Sequence, residues 1–372
     1  MEGESMLDVA IIGGGPAGTA TALSLRQLVP EAAIAIFDAR HGAQWKPGET
    51  LSPVATQLLE SLGCWAAFQK LRTENAVQES YGTQAAWGAM ESYEREFLYS
   101  MHGSGWRLNR ARFDAMLMDC AQAAGVEVRS AMALVDSAEE NGGWRLQLQG
   151  ATRSARFVID ASGRAARFAV QRGARPIRSD RLGGVFVLFQ TASEEDTLIE
   201  AAENGWWYST TVPGSTAVVA WMSDTDLIRA MDLKKAASWN ALLAQSVHTR
   251  QKLRGAVAKG EPMIFAAHSQ RLSLMGGRGW VAAGDAAMTF DPLSSQGITK
   301  ALRSGKLASF VAADFLLRGA ETQDRYTALA RAEYDEYERV RQAYYLEEQR
   351  WPAAAFWARR HARQSASLAD AG

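Results

Sequence analysis

Residues 7–18, LDVAIIGGGPAG, decide the fold because they join a buried strand to a helix through a glycine-rich turn. The apolar run 7–12 predicts the strand. The segment from Ala17 to Leu28 has no helix breaker and predicts the helix. A second apolar run, 33–37, predicts another strand that ends at Asp38. Together these elements form a βαβ unit of about thirty residues.

The spacing of the three glycines matches the G-x-G-x-x-G fingerprint of dinucleotide-binding domains. Gly13 permits a tight turn, Gly15 lets the backbone approach a pyrophosphate, and Gly18 permits close packing of the helix on the strand. Asp38, twenty residues after Gly18, would accept a hydrogen bond from a ribose 2′-hydroxyl and disfavours a 2′-phosphate. The predicted dinucleotide site also includes the residues beside these positions: Pro16, Ala17, Ala39 and Arg40.

Composition excludes several other classes of function. The chain has 372 residues, which suggests two or three domains. Its 40 Lys and Arg against 41 Asp and Glu give a net charge of −1, so neither nucleic acid nor an anionic membrane surface is an expected partner. Two cysteines, Cys64 and Cys120, are too few for a disulfide framework. The histidines lack the spacing of metal ligands, and we expect no metal site.

The beginning of the chain gives an expectation about localisation. It is acidic, whereas a signal peptide begins with basic residues. The uncharged run 9–25 contains several glycines and falls short of the roughly 20 apolar residues that a membrane helix needs. We therefore expect a soluble cytoplasmic protein without a membrane partner.

The remaining patterns predict a second sheet and long C-terminal helices. Residues 80–106 are strand-like and rich in aromatic side chains, including Phe97 and Tyr99. Further predicted strands are 144–149, 157–159, 185–190, 206–212, 217–222 and 280–283. Further predicted helices are 54–62, 110–124, 227–253, 297–317 and 324–350.

A second glycine-containing motif follows one of these strands and introduces a family resemblance. Residues 279–287, GWVAAGDAA, and 291–297, DPLSSQG, resemble the second FAD motif of the flavoprotein monooxygenase and flavin-dependent halogenase superfamily. The resemblance implies FAD as the cofactor. It implies that Asp285, beside Gly284, holds the ribityl chain. It also implies that the loop from Pro292 to Gly297, with Ile298, lies against the isoalloxazine ring.

Three short motifs resemble the same superfamily. Residues 110–117, RARFDAML, are similar to its R-x-x-F-D-x-x-L helix, in which the arginine, here Arg110, contacts the FAD phosphate region. Residues 160–164, DASGR, resemble a turn whose backbone, at Gly163, approaches the cofactor. Residues 47–50, PGET, resemble a loop near the flavin that includes Gly48. In this loop, Glu49 and Lys46 are candidates for acid–base or positioning roles.

Residues 205–213, GWWYSTTVP, resemble the G-W-x-W-x-I-P signature of tryptophan halogenases but depart from it at Tyr208 and Thr211. Halogenases also use a lysine in a segment where this chain offers only Lys70, and Gln84 lies nearer the expected place. Together with a chain shorter than is usual for halogenases, this disfavours halogenation. Substrate contacts are expected from the first part of the motif: Trp206, Trp207 and Tyr208.

The C-terminal segment narrows the resemblance. Residues 344–351, YYLEEQRW, and 356–360, FWARR, resemble the maturation flavoproteins of lysine ε-oxidase and glycine oxidase. Residues 81–88 and 205–208 agree with that subgroup. The resemblance implies oxygenation of a tryptophan in a precursor protein, on the way to tryptophylquinone. It leaves the electron donor open between NAD(P)H and a flavin reductase.

The predicted fold is therefore of the α/β class, α+β overall. A Rossmann-like FAD-binding domain (1–80, 106–182 and 271–320) would be interleaved with a mainly antiparallel substrate domain (81–105 and 183–270), and 321–372 would add C-terminal helices. Two alternatives remain open at this point. One is a flavin-dependent monooxygenase or reductase for a small aromatic or isoprenoid metabolite. The other is a non-enzymatic chaperone that binds its precursor, which the intact FAD motifs disfavour.

Overall fold

The protein is described from a computed structural model, which covers residues 6–42, 45–96, 104–192 and 197–369. Its strands, numbered along the chain, are β1 Leu7–Ile12, β2 Ile34–Phe37, β3 Thr50–Leu51, β4 Val77–Ser80, β5 Gly82–Ala86, β6 Tyr93–Glu96, β7 Gly105–Leu108, β8 Glu127–Arg129, β9 Leu134–Glu140, β10 Gly143–Leu148, β11 Ala151–Asp160, β12 Pro176–Arg178, β13 Leu182–Gln190, β14 Thr197–Ala202, β15 Gly205–Val212, β16 Thr216–Asp224, β17 Val257–Ala266, β18 Gln270–Leu272, β19 Gly276–Gly277, β20 Trp280–Ala282 and β21 Met288–Thr289.

The helices follow the same convention. They are α1 Pro16–Leu28, α2 Ala55–Ser61, α3 Trp65–Thr73, α4 Arg110–Ala123, α5 Arg167–Gln171, α6 Thr225–Ala230, α7 Ala236–Leu243, α8 His248–Lys252, α9 Gly297–Arg318, α10 Gln323–Glu347 and α11 Ala355–Ala369. Short 3₁₀ turns occupy Gly163–Ala165, Gly284–Ala286 and Pro292–Ser294.

The first sheet places the glycine turn. Strands β20, β11, β1, β2 and β8 lie side by side and are all parallel, with β1 between β11 and β2. Parallel strands are buried on both faces, which explains the apolar sequences of the central strand β1, of β2 and β20, and of the last part of β11. The carboxyl ends of β1, β11 and β20 lead into the Gly13, Gly163 and Gly284 turns. All three motif turns therefore meet at one edge, where open α/β sheets bind their ligands.

The second sheet has the order β17-β13-β16-β15-β14-β5-β6. Its pairs are antiparallel, except for β14 with β5. Its strands come from residues 82–96 and 182–266, whereas the first sheet uses strands from both sides of these segments. The α/β class and the interleaving of the two sheets are confirmed, and the exact domain boundaries stay a prediction.

One predicted element is wrong. The expected helix 227–253 is three short helices, α6, α7 and α8, because the chain breaks at Asp232 and again after Leu243. Asp232 has a φ of 51°, in the left-handed region where a right-handed helix cannot continue. Phe97 and Tyr99, expected on a strand, lie outside the described residues.

Helices cover both faces of the second sheet. On one face, α10, α11 and the segment between them pack against Phe186, Trp206 and Met222. On the other face, α6, α7 and α8 cover Val185 and Trp207. Among the described residues, no helix is both long and apolar enough to span a membrane.

Candidate functional site

The glycine turn contains two glycines fixed by packing and one that faces open space. A Cβ on Gly13, which has a φ of +111°, would lie 2.3 Å from the Ala161 carbonyl oxygen. A Cβ on Gly18 would lie 2.0 Å from the Gly13 carbonyl oxygen. A Cβ on Gly15 would meet no atom within 4 Å, at the residue that precedes α1. The turn therefore leaves room for an anionic group at the helix N-terminus.

Ala17 packs where α1, α9 and the Gly284 turn meet. A Cβ on Gly284 would lie 2.6 Å from the Ala17 Cβ, and a Cβ on Gly305 of α9 would lie 2.2 Å from the Ala17 carbonyl oxygen. Pro16 is buried at the first turn of α1. These two residues shape the turn, and their predicted contact with a cofactor stays a prediction.

Asp38 follows β2, as predicted, and is buried beside Arg40. The Arg40 guanidinium donates to both Asp38 carboxylate oxygens, and the Arg40 backbone N–H donates to Oδ1 at 3.0 Å. Arg40 also reaches Asp114 at 3.5 Å. A ribose hydroxyl at Asp38 would therefore share the carboxylate with Arg40. The sequence did not reveal this pairing. Ala39 links the two residues, and its predicted contact with the cofactor stays a prediction.

Arg110, Asp114 and Lys46 form a second charged group. The Arg110 Nε donates to Asp114 Oδ1 at 2.8 Å, and its Nη1 donates to the carbonyl oxygens of Pro47 and Gly48 at 3.2 Å. Lys46 contacts the other Asp114 oxygen. Burial lowers the pKa of Lys46 to about 8, and the positive charge of Arg110 adds to this effect. Arg110 thus tethers the loop that carries Lys46 to α4.

Glu49 is buried, with 2% of its surface exposed. Its Oε2 accepts a hydrogen bond from the Tyr208 hydroxyl at 3.4 Å. Its Oε1 has no hydrogen-bond partner in the part of the chain that the structure describes. Burial raises the pKa of Glu49 to about 7, against the opposing effect of the Gly48 backbone N–H. Glu49 can therefore hold or release a proton near neutral pH.

Asp285 lies in the 3₁₀ turn after β20, as its motif predicts. The buried Lys300 ammonium donates to Asp285 Oδ1 at 2.7 Å. Burial opposes ionisation of Asp285, but the charges of Lys300 and Arg164 hold its pKa below the usual value. The Asp285 side chain keeps 43% of its surface exposed, so it is available to a ligand. The sequence did not single out Lys300 or Arg164.

The other predicted backbone positions border the same region. A Cβ on Gly163 or on Gly297 would meet no atom within 4 Å, so both glycines face open space. Ile298, at the start of α9, is buried in the core beneath. Pro292 is exposed at the start of its 3₁₀ turn.

Two cavities adjoin the Ser294–Gln296 segment. The first is lined mainly by hydroxyl-bearing residues, among them Thr50, Ser52 and Thr299, and is called the hydroxyl cavity. It has a volume of about 370 Å³. The second, the aromatic cavity, has a volume of about 510 Å³. Both volumes lie in the range of small-ligand sites. The aromatic cavity is lined chiefly by large apolar side chains, namely Trp87, Tyr93, Ile199, Phe290, Leu293, Tyr337, Val340 and Tyr344.

The three residues predicted to contact substrate occupy different places. Trp206 packs against Trp87 and is fully buried, with none of its surface exposed to solvent. Trp207 points to the opposite face of the sheet and packs against Trp221 and Trp239. Tyr208 is half-buried beside Glu49. Of the three, Tyr208 is the one whose position suits a role at the reacting centre.

The aromatic motifs of the sequence meet in one cluster. The Trp87 ring packs edge-on against Trp206, Tyr345 and Trp357, with centroids 5.3–6.4 Å apart. The Trp87 indole N–H donates to the Tyr344 carbonyl oxygen at 2.8 Å, and the Gly88 N–H donates to Glu348 at 2.9 Å. The C-terminal segment thus holds one wall of the aromatic cavity in place.

The loop from Pro292 to Gly297, predicted to lie against the flavin, is called the flavin-motif loop. Asp291 connects this loop to α10, and the sequence did not predict that connection. Its Oδ2 accepts from the Tyr345 hydroxyl at 2.8 Å, and its Oδ1 accepts from the Leu293 N–H at 2.9 Å. Its own N–H donates to the Tyr337 hydroxyl at 2.6 Å. Trp206 in turn donates its indole N–H to the Tyr345 hydroxyl at 3.2 Å. All these side chains are buried.

Replacing Tyr345 with phenylalanine is expected to destabilise the protein. The change removes one hydroxyl and leaves the Trp206 N–H and the Asp291 carboxylate each with one partner fewer. Leaving buried polar groups unpaired costs about 1–3 kcal/mol each. Urea unfolding of Tyr345→Phe measures the loss. Equal stability of Tyr345→Phe and the unaltered chain would contradict the assigned network.

The residues present fit FAD. Gly15, Gly163 and Gly297 face open space, Asp285 is partly exposed, and a buried Glu49 oxygen lacks a partner. Unpartnered buried oxygens are rare and call for an explanation such as a missing ligand. Among the described residues, no group of three His, Cys, Asp or Glu side chains is placed to hold a metal ion.

Residues 6–328 match the protein family described as FAD binding domain. The chain belongs to this family. It is an FAD-dependent oxidoreductase, which confirms the cofactor and the class of enzyme expected from the motifs. The matched region includes every predicted cofactor residue from Gly13 to Ile298.

Individual relatives support this assignment. LodB of Marinomonas mediterranea, which carries the name of an FAD-dependent oxidoreductase, is 30% identical over 95% of this chain and 97% of LodB. The myxobacterial chondrochloren halogenase CndH has a TM-score of 0.85 at 21% identity, over 96% of this chain and 86% of that one. QhpG, a peptidyl tryptophan dihydroxylase essential for tryptophylquinone cofactor biogenesis, has a TM-score of 0.73 at 22% identity, over 96% and 79%. The two solved structures share the fold.

Proposed function

We propose that this enzyme is an FAD-dependent monooxygenase that hydroxylates a tryptophan side chain in a partner protein, during formation of a tryptophylquinone cofactor. The observation that carries the proposal is the aromatic cavity, which adjoins the loop predicted to lie against the flavin. Full-length similarity to LodB and the fold shared with QhpG support it.

FAD, when bound, supplies the electrons and activates the oxygen for this chemistry. Gly15, Arg110 and Asp285 would hold it. Each hydroxylation consumes one O₂, two electrons and two protons, places one oxygen atom on the ring carbon and releases the other as water. The chain must therefore position an electron-rich indole, exclude bulk water and deliver protons.

The aromatic cavity has the means to position the indole. Trp87, Phe290 and Tyr337 present flat apolar rings, and aromatic pairs in offset or edge-on geometry gain about 0.5–1.5 kcal/mol beyond area burial. The Phe290 and Tyr337 rings are stacked at 4.0 Å, which makes that wall flat and rigid. A rigid wall favours one orientation of the bound indole.

Glu49 is the proposed proton donor, and Tyr208 positions its carboxyl group. Because the pKa of Glu49 is about 7, a large fraction of it is protonated at neutral pH. Lys46 is proposed to keep the loop in place through Asp114. The proposed partner is a precursor protein that carries the target tryptophan, and either NAD(P)H or a flavin reductase is proposed to supply electrons.

Oxidation of a small-molecule substrate and halogenation are the alternatives to tryptophan hydroxylation. A small aromatic or isoprenoid substrate would also fit a cavity of about 510 Å³, so it remains the second candidate. Halogenation is disfavoured because, among the described residues, no lysine lines either cavity. Lys70 is exposed beside Glu74, and Gln84 is hydrogen-bonded to Glu94.

Filling the aromatic cavity tests the proposal. Val340→Trp is expected to retain bound FAD, with its visible absorbance, and to lower oxygenation of the partner about 100-fold, because the indole is displaced from its reactive position. Leu329→Trp, on the exposed surface of the same helix, is the matched control. Unchanged oxygenation by Val340→Trp would place the substrate elsewhere.

A further inference from the structure

The hydroxyl cavity and the aromatic cavity are two halves of one cleft. They share their lining at Thr83, at the Ser294–Gln296 segment and at Arg303. Together they reach from the small sheet β3-β7-β4, through the flavin-motif loop, to α10. A ligand longer than one side chain can therefore occupy both halves at once.

The two halves differ in chemistry. Five aromatic rings line the aromatic half, whereas hydroxyl groups dominate the lining of the other. A hydroxyl both donates and accepts hydrogen bonds, which matches the alternating N–H and C=O groups of a peptide backbone. The hydroxyl-bearing residues of the first cavity are Thr50, Ser52, Ser80, Thr83, Thr197, Ser294, Ser295 and Thr299.

Free hydrogen-bonding groups are concentrated where the halves meet. The side chains of Thr83, Ser295 and Gln296 make no hydrogen bond to any residue that the structure describes. Deeper in the cavity, the Ser52 and Thr299 hydroxyls are 2.8 Å apart and satisfy each other. The junction is therefore the part of the cleft that has hydrogen bonds to offer a ligand.

The charges of the cleft are already paired. Arg303 contacts Glu333, Arg341 contacts Asp180 and Glu338, and Glu336 contacts Arg339. Within the described residues, no other charged side chain lines either cavity. A phosphate-bearing nucleotide would find no uncommitted cation here, so the cleft favours a neutral ligand.

We propose that the cleft binds an uncharged, extended peptide segment, with the target indole in the aromatic half and the flanking backbone amides on Thr83, Ser295 and Gln296 at the junction. This inference rests on the proposed function and adds a subsite that reads the peptide backbone. It makes a polypeptide, rather than a single tryptophan derivative, the preferred substrate.

Two neutral probes test the inference. The FAD-loaded enzyme, without reductant, is titrated by calorimetry with 3-methylindole, which carries the ring and no amide, and with the capped peptide Gly-Ser-Trp-Ser-Gly. Two or more added hydrogen bonds should make the peptide bind about tenfold more tightly. The double variant Thr83→Val/Ser295→Ala should lose most of this advantage and bind 3-methylindole as before. Thr83→Ser, which keeps the hydroxyl, should bind both probes normally.

The outcomes separate the two proposals. Val340→Trp should weaken both probes equally, because it fills the half that both occupy. Equal affinity of the two probes for the unaltered enzyme, or an advantage that the double variant retains, would overturn the backbone subsite. Mass spectrometry of both probes after addition of reductant and O₂ reports on the chemistry separately. Peptide binding without oxygenation of either probe or of the partner would contradict the proposed function and leave the subsite intact.

Discussion

Replacing Glu49 with glutamine is expected to lower the rate of partner oxygenation about 100-fold to 10,000-fold, the usual contribution of general acid catalysis. Glutamine keeps the size of the side chain and its contact with Tyr208, but it cannot donate the carboxyl proton. FAD affinity should change little. Single-turnover kinetics on the reduced, oxygen-exposed enzyme would measure the loss.

The protonation of Glu49 also predicts how the rate of oxygenation depends on pH. Burial raises the pKa of Glu49 to about 7, so the protonated form prevails below that pH. The rate should therefore fall as the pH rises through about 7, and Glu49→Gln should lack this limb of the profile. The cofactor-free fold should also lose stability as the pH rises from about 4.3 to about 7. Over this range the carboxyl group ionises in the unfolded chain, whereas the buried Glu49 of the folded protein keeps its proton.

Two control variants test whether Glu49 is the proton donor. Tyr208→Phe removes only the hydroxyl that donates to Glu49 and should shift the pH profile without abolishing the rate. Glu60→Gln, on the partly buried helix α2, is the matched substitution away from the site. A Glu49→Gln enzyme that oxygenates the partner at the normal rate would show that the proton comes from elsewhere.

Replacing Gly15 with valine is expected to abolish FAD binding without disturbing the fold. Gly15 has a φ of −78°, which any residue adopts, and a Cβ there would meet no atom of the protein. The added side chain would instead occupy the space in front of α1 that a phosphate needs. Thermal unfolding of the cofactor-free variant should match that of the unaltered chain.

Gly18 provides the contrast. A Cβ at Gly18 would lie 2.0 Å from a backbone oxygen, so Gly18→Val should destabilise the protein itself. Added FAD should raise the unfolding temperature of the unaltered chain, since a ligand stabilises the state it binds, and should leave Gly15→Val unchanged. A Gly15→Val protein that binds FAD normally would contradict the placement of the phosphate.

Local sequence patterns predicted the first sheet well. The β1–turn–α1–β2 unit combines apolar strands with glycines whose positions are dictated by backbone contacts at Gly13 and Gly18, so the sequence is strongly constrained there. The helix expected at 227–253 failed because Asp232 breaks it without a glycine or proline to signal the break. Helical periodicity alone does not detect such a left-handed residue.

The candidate site was predicted in part, for a similar reason. Motif spacing located Asp38, Glu49 and Asp285, because each follows a strand or lies in a short loop. The packing of residues that are distant along the chain could not be predicted from the sequence. Strand alternation places Trp206 and Trp207 on opposite faces, but only the fold shows that helices cover both faces. The pairing of buried charges with distant partners was equally hidden.

The most direct test of the central claim is the intact mass of the protein encoded beside this one, produced with and without this chain. Oxygenation predicts a gain of one or two oxygen atoms, mapped by peptide sequencing to a tryptophan and absent with the Gly15→Val variant. An unchanged mass, with the neighbouring protein folded and this chain holding FAD, would contradict the claim for that partner and favour a small-molecule substrate.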